Sequence, residues 1–236
     1  MRILLTRPAS RSGATARRLR GMGLEVVESP VLAIRPSGAP MPSGRFDAVI
    51  LTSPGSLLGF PEPPAHLPVL AVGDRTAEDA RHAGFLHVLS ASGDRHDLAA
   101  LARETLPPGS RLLLAAGRER KEDLVDMLRR DGLEPVVWVC YHADAASSLA
   151  PEASAALQAG AIGWVMHYSP RSAALFLELA AAAGLRAAAQ QAGHVCISED
   201  TAVALERAGV TRVVTAERPD DDAMIAAVAA LVAGAA

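Results

Sequence analysis

The chain is assembled from three kinds of segment that each occur twice, and this internal repeat limits its fold more than any other feature. The first kind is Arg2-Ile3-Leu4-Leu5, a charged helical stretch to about Met22, then Gly23-Leu24-Glu25-Val26-Val27. It returns as Arg111-Leu112-Leu113-Leu114, a helix over about Arg120–Arg130, then Gly132-Leu133-Glu134-Pro135-Val136-Val137. The second kind is Ala48-Val49-Ile50-Leu51-Thr52-Ser53-Pro54, repeated as Gly163-Trp164-Val165-Met166-His167-Tyr168-Ser169-Pro170. The third is Leu70-Ala71-Val72-Gly73-Asp74-Arg75-Thr76-Ala77, repeated as Val195-Cys196-Ile197-Ser198-Glu199-Asp200-Thr201-Ala202.

Each segment reads strand, turn, helix. The strands are continuous apolar runs, as expected of a parallel sheet covered on both faces. Ser53-Pro54 and Ser169-Pro170 each offer an N-cap serine followed by a proline at the first helical position. The expected fold is therefore α/β, with two similar doubly wound parallel-sheet domains. Glu25–Ile34 and Glu134–His142 are strand-like, longer than a typical strand, and run into the linker-like stretches Pro36–Gly44 and Ala143–Pro151. Two such strands suit a chain that crosses between domains twice. Two contiguous halves, about 1–106 and 110–236, are the simpler layout, and periodicity does not separate the two.

A length of 236 residues with 50% hydrophobic and 21% charged residues suits a packed globule. A formal charge of −3 argues against nucleic-acid binding. No signal peptide or membrane span is evident, so a cytoplasmic protein is expected. Cys140 and Cys196 stand alone in apolar runs and read as buried thiols, and no metal-ligand spacing is present. No Gly-x-Gly-x-x-Gly, Walker loop, His-Glu-x-x-His or nucleophile elbow occurs, which argues against a nucleotide-dependent α/β enzyme. The histidines, among them His142, His167 and His194, read best as surface or satisfied core residues.

What remains is a set of helix starts. In an open parallel sheet, ligands gather beyond the carboxyl ends of the strands. Those ends carry Thr6-Arg7-Pro8, Thr52-Ser53-Pro54, Gly73-Asp74-Arg75-Thr76, Ala116-Gly117-Arg118, Tyr168-Ser169-Pro170-Arg171 and Ser198-Glu199-Asp200-Thr201. A helix start has free N–H groups and a partial positive charge, so it attracts anions. Taken singly, each is explained as a cap. Their recurrence points to a ligand with many carboxylates.

Thr6-Arg7-Pro8, Leu51-Thr52-Ser53-Pro54, Ala71-Val72-Gly73-x-x-Thr76-Ala77, Gly117-Arg118-x-x-Lys121-Glu122-x-Leu124, Val139-Cys140-Tyr141, Tyr168-Ser169-Pro170-x-Ser172-Ala173 and Cys196-Ile197-x-x-x-Thr201-Ala202 together resemble, in order and spacing, the uroporphyrinogen-III synthase family. The resemblance covers nearly the whole chain. It implies the crossed layout, with domain 1 made of residues 1–33 and 146–236 and domain 2 of 34–145. The connector strands would be about 25–34 and 134–142. It also implies a monomer without metal or organic cofactor, with no nucleic-acid or membrane partner. The implied substrate is hydroxymethylbilane, bound in a cleft between the domains.

The implied reaction is loss of the substrate hydroxyl as water and ring closure with inversion of the last pyrrole, a lyase activity of haem biosynthesis. By the same resemblance Tyr141 is the catalytic acid, and its structural alternative is an aromatic packed at the domain boundary. Thr76 with Thr201, and Ser53 with Ser169, match the family's paired threonines and serines. Arg7 and Arg118 are carboxylate partners. The chain departs from the family at Tyr141-His142-Ala143, where Tyr-x-Thr is usual, and at Ser198-Glu199-Asp200, where Gly-Pro usually precedes the second threonine. Two acids facing a carboxylate ligand would repel it. A non-catalytic binding module of the same fold is the alternative function.

Overall fold

The computed structural model describes residues 1–119 and 123–234. Lys121-Glu122 of the fourth motif, and Arg120, where a helix is expected to begin, lie outside the described residues. The chain begins with β1 (Arg2–Leu5), α1 (Ala9–Gly21), β2 (Glu25–Glu28), β3 (Leu32–Pro36) and β4 (Ala48–Leu51). A 3-10 helix, Pro54–Gly59, leads to β5 (Val69–Ala71), α2 (Asp74–His82), β6 (Val88–Ser90) and α3 (Arg95–Thr105). Then come β7 (Arg111–Gly117), α4 (Asp123–Arg130), β8 (Glu134–Ala145), α5 (Pro151–Gln158) and β9 (Trp164–His167). The last elements are α6 (Pro170–Ala182), α7 (Arg186–Gln191), β10 (Gly193–Cys196), α8 (Glu199–Arg207), β11 (Val213–Thr215) and α9 (Asp221–Ala233).

Two compact units result: Met1–Ala33 with Asp144–Ala236, and Ile34–Ala143. In the first, the sheet order is β11-β10-β9-β1-β2 and every pair is parallel. Ile3, Leu4 and Leu5 are all fully buried because helices cover both faces. Ile3, Leu5, Met166 and Val195 pack with Leu19 of α1 and Met224 and Val228 of α9. On the other side Cys196 meets Ala173 of α6 and Leu205 of α8. Each fully buried aliphatic side chain of this kind contributes about 1.5–3 kcal/mol.

In the second unit the order is β3-β8-β7-β4-β5-β6. All pairs from β8 to β6 are parallel. The Ser37 N–H donates to the Cys140 carbonyl (2.9 Å) and the Ala146 N–H to that of Val31 (3.0 Å), so β3 and β8 run antiparallel. Val49, Leu51, Leu113, Trp138 and Cys140 form one core face, and Ile50, Leu70, Leu112 and Leu114 the other. Setting β3 aside, the two sheets share one arrangement: β7 and β8 stand where β1 and β2 do, and β4, β5 and β6 stand where β9, β10 and β11 do. The repeated sequence segments thus occupy matching places.

Two sequence expectations need correction. Glu25–Ile34 is two strands in different sheets, β2 and β3, and the returning strand β8 runs on to Ala145. The break falls at Pro30. The Ser29 N–H still donates to Leu5 and that of Val31 to Thr6, but Pro30 has no N–H to give, and the chain leaves the sheet there. Second, Ser53-Pro54 opens a short 3-10 helix, not an α-helix. The following Phe60-Pro61-Glu62-Pro63-Pro64 cannot continue a helix.

Candidate functional site

In both sheets the order reverses at one place, between β1 and β9 in the first unit and between β4 and β7 in the second. The carboxyl ends of strands beside such a switch point form a natural ligand crevice. In the second unit a cavity of about 300 Å³ opens there, lined by Thr52, Val72, Arg95, Gly117, Glu119 and Tyr141 among others.

Tyr141 reaches this position through a β-bulge. Along β7 and β8 the pairing advances from Ala116 with Val139 to Gly117 with Tyr141, leaving Cys140 as an extra residue. Strict alternation would put Cys140 and Tyr141 on opposite faces. The extra residue turns both toward the Val49–Leu113–Trp138 face. The phenol oxygen then lies 2.7 Å from Ser53 Oγ, and Ser53 Oγ also accepts the Gly55 N–H (3.2 Å). A Cβ built on Gly117 would stand 2.7 Å from the tyrosine Cζ, and one on Gly55 would stand 2.9 Å from Cε2. Arg118 is exposed, and its backbone N–H donates to the Tyr141 carbonyl (3.1 Å). Tyr141, Ser53 and Arg118 thus cluster at one end of the second unit.

The paired threonines hold matching positions. Thr76 is the third residue of α2, after β5, and Thr201 the third of α8, after β10. Both are buried. Neither helix has a side-chain cap: Gly73 precedes α2, and Ser198, which precedes α8, turns its Oγ to Thr201 Oγ1 at 3.1 Å. The N–H groups of Asp74 and Arg75, and of Glu199 and Asp200, therefore have no side-chain cap, whereas the Thr201 N–H already donates to the Ser198 carbonyl (3.0 Å). The paired serines do act as caps. Ser169 accepts the Ser172 N–H (3.1 Å) in a capping box at the start of α6. Glu199 and Asp200 are exposed in the first turn of α8.

Arg7 occupies the switch point of the first unit, but its charge is already matched. Its guanidinium meets Asp221 Oδ1 at 2.7 Å and Thr15 Oγ1 at 2.6 Å, and it lies 3.9 Å from the Tyr168 ring centroid. The Tyr168 hydroxyl donates to the same carboxylate (2.7 Å), and burial raises its pKa well above the usual value. The carboxylate partner expected of Arg7 is thus supplied by the chain itself. Asp221 is 214 residues away and carries no motif, so sequence reasoning missed it. It also missed Gly55, which follows the Thr52-Ser53-Pro54 motif, and it quoted Gly117 within a motif without seeing that the glycine walls Tyr141.

His167 and His194 are fully buried and hydrogen-bonded to each other. This agrees with their reading as satisfied core residues and keeps His167 out of any crevice. Cys140 and Cys196 are free and buried. Among the described residues no His, Cys, Asp and Glu group could hold a metal ion, and no helix is long and apolar enough to cross a membrane.

The family model described as uroporphyrinogen-III synthase HemD matches residues 13–226. No curated protein sequence matches significantly. The crystal structure of uroporphyrinogen-III synthetase from Helicobacter pylori is similar, with a TM-score of 0.68 and 16% identity over 98% of this chain and 100% of that one. That of a mutant uroporphyrinogen III synthase from the extremely thermophilic bacterium Thermus thermophilus has a TM-score of 0.59 and 18% identity, over 99% of each chain. At such identities the likeness speaks for the fold. The family match spans most of the sequence, and the chain belongs to the uroporphyrinogen-III synthase family.

Proposed function

We propose that this protein is a uroporphyrinogen-III synthase, a lyase that cyclises hydroxymethylbilane to uroporphyrinogen III with inversion of ring D and loss of water. The reading rests on the matched helix starts. Both units end corresponding strands in an uncapped helix with a buried threonine at its third position, Thr76 and Thr201. Such starts suit the carboxylates of a tetrapyrrole. Ser169 and the exposed Arg118 would add polar contacts.

The chemistry asks for positioning and one proton. The carbon–oxygen bond of the hydroxymethyl group breaks, and the oxygen leaves as water after taking a proton from an acid. Tyr141 is the proposed donor, from the wall of the cavity it lines. The electrophilic azafulvene is attacked by the substituted carbon of ring D, giving a spiro intermediate. The older bond to ring D then breaks and re-forms at its free carbon, whose proton returns to the base. No net oxidation occurs, so the reaction calls for no redox cofactor. Holding the bilane in this geometry can contribute about 7–11 kcal/mol.

Product analysis tests the reading. Free hydroxymethylbilane closes through the unsubstituted carbon of ring D to isomer I. The folded protein should give mainly isomer III from freshly made hydroxymethylbilane, with activity that survives chelation. Isomer I alone would overturn the proposal and leave a binding module of the same fold.

A further inference from the structure

The contact between Ser53 and Tyr141 gives this serine a different task from its counterpart. Ser169, at the corresponding strand end, turns its hydroxyl to Ser172 of its own helix. Ser53 Oγ accepts the Gly55 N–H and faces the phenol at 2.7 Å. A hydroxyl has one proton and two lone pairs, and here two of the three are directed by protein groups.

The walls around the ring point the same way. Gly55 and Gly117 are not among the glycines with positive φ, so their backbone does not require glycine. Space does. A Cβ on Gly55 would lie 2.9 and 3.0 Å from ring atoms Cε2 and Cζ, and one on Gly117 would lie 2.7 Å from Cζ and 2.9 Å from the phenol oxygen. The ring lies against both glycines. The bulge that aims it is anchored in the core by Cys140, whose Sγ sits 3.5 Å from the Ser56 carbonyl and 3.6 Å from that of Ala116.

We propose that Ser53, Gly55 and Gly117 are positioning residues that seat the Tyr141 phenol in a glycine-walled slot, and that Ser53 serves the tyrosine and not a substrate carboxylate. The proposal rests on the reading of Tyr141 as the acid. It assigns these three residues an effect on turnover and not on substrate affinity.

Steady-state kinetics with freshly generated hydroxymethylbilane, and carbon NMR of protein labelled at tyrosine Cζ, test it together. Ser53→Ala should lower kcat about tenfold, the worth of one hydrogen bond, with KM nearly unchanged. Ser53→Thr, which keeps the hydroxyl, should recover most of the loss. Adding Ser53→Ala to Tyr141→Phe should cost nothing more, because a residue that acts through another has no separate effect. A further full loss in that background, or a raised KM at unchanged kcat, would overturn the proposal in favour of direct substrate binding. The chain has two tyrosines, so the spectrum carries one line from Tyr141 and one from Tyr168. Ser53→Ala and Gly117→Ala should move the first and leave the second. If Tyr141→Phe turns over normally while that line still moves, the acid reading fails and the slot stands. An unmoved line removes the slot. Should Gly117→Ala not fold, the serine variants decide alone.

Discussion

Nε2 of His167 lies 2.9 Å from Nδ1 of His194, with the two imidazole planes 9° apart. His194 Nε2 is 2.9 Å from the Ala189 carbonyl, which can only accept, so that nitrogen carries the proton. His194 Nδ1 is then the acceptor, and His167 Nε2 the donor. The pair is held neutral in one tautomeric arrangement.

Burial holds His167 well below its usual pKa of 6.5 and lowers His194 to about 4. Above pH 6.5 the folded and unfolded chains are both neutral at these sites. As pH falls below that, the unfolded imidazoles bind protons that the folded ones refuse, and stability drops. His194 alone should cost about 2 kcal/mol at pH 5. Urea unfolding at pH 7.5 and pH 5 measures this. A His194→Gln variant with an undiminished slope would rule the pair out as its source.

Removing the Asp221 carboxylate leaves the Arg7 guanidinium, 12% exposed, without its counter-ion. Asp221→Asn should destabilise the protein by about 2–3 kcal/mol, below the full figure for a buried pair because Asp221 keeps 28% exposure. Arg7→Met should also act through stability, and the surviving folded enzyme should keep its KM. A large rise in KM with intact stability would return Arg7 to the substrate site.

Both thiols should resist modification in the native protein. Burial pushes Cys140 up to about 11 and Cys196 up to about 12. At pH 8 the thiolate fractions are then about 10⁻³ and 10⁻⁴. Titration with a chromogenic disulfide should find no fast thiol until guanidinium is added. One fast native thiol would contradict the packing around it.

Glu199 and Asp200 place negative charge at the start of α8, beside Thr201. They stabilise the helix by about 0.3–1 kcal/mol each, and they oppose an anionic ligand there. Glu199→Gln with Asp200→Asn should lower KM several-fold at low ionic strength, with a small loss of stability. The gain should fade at high salt. An unchanged KM would mean that substrate carboxylates do not approach this helix.

The repeats were legible because each strand is an apolar run followed by a turn residue and a helix, a local pattern. What decided the rest was not local. Val27 and Leu32 lie in one strand-like stretch yet enter different sheets, and Pro30 between them marks a break without saying that the chain changes sheet there. The bulge at Cys140 is hidden for the same reason, since an extra apolar residue in an apolar strand leaves no trace. Ser53, Thr76, Ser169 and Thr201 could be found because helix starts recur at strand ends. Asp221, which takes up Arg7, lies in an ordinary acidic stretch at the start of α9 and could be found only by folding the chain.

Read along the sequence, β1, β2, β4, β5 and β6 form one copy of a pattern that β7, β8, β9, β10 and β11 repeat. In space the copies trade their first two strands. The sheet of the first unit takes β1 and β2 from one copy and β9, β10 and β11 from the other, and the second unit takes the complement. This is the exchange that links two chains in a domain-swapped dimer, closed here within a single chain. Cutting at the turn near Gly109 therefore yields two repeats, not two domains. Neither fragment carries either of the two sheets whole.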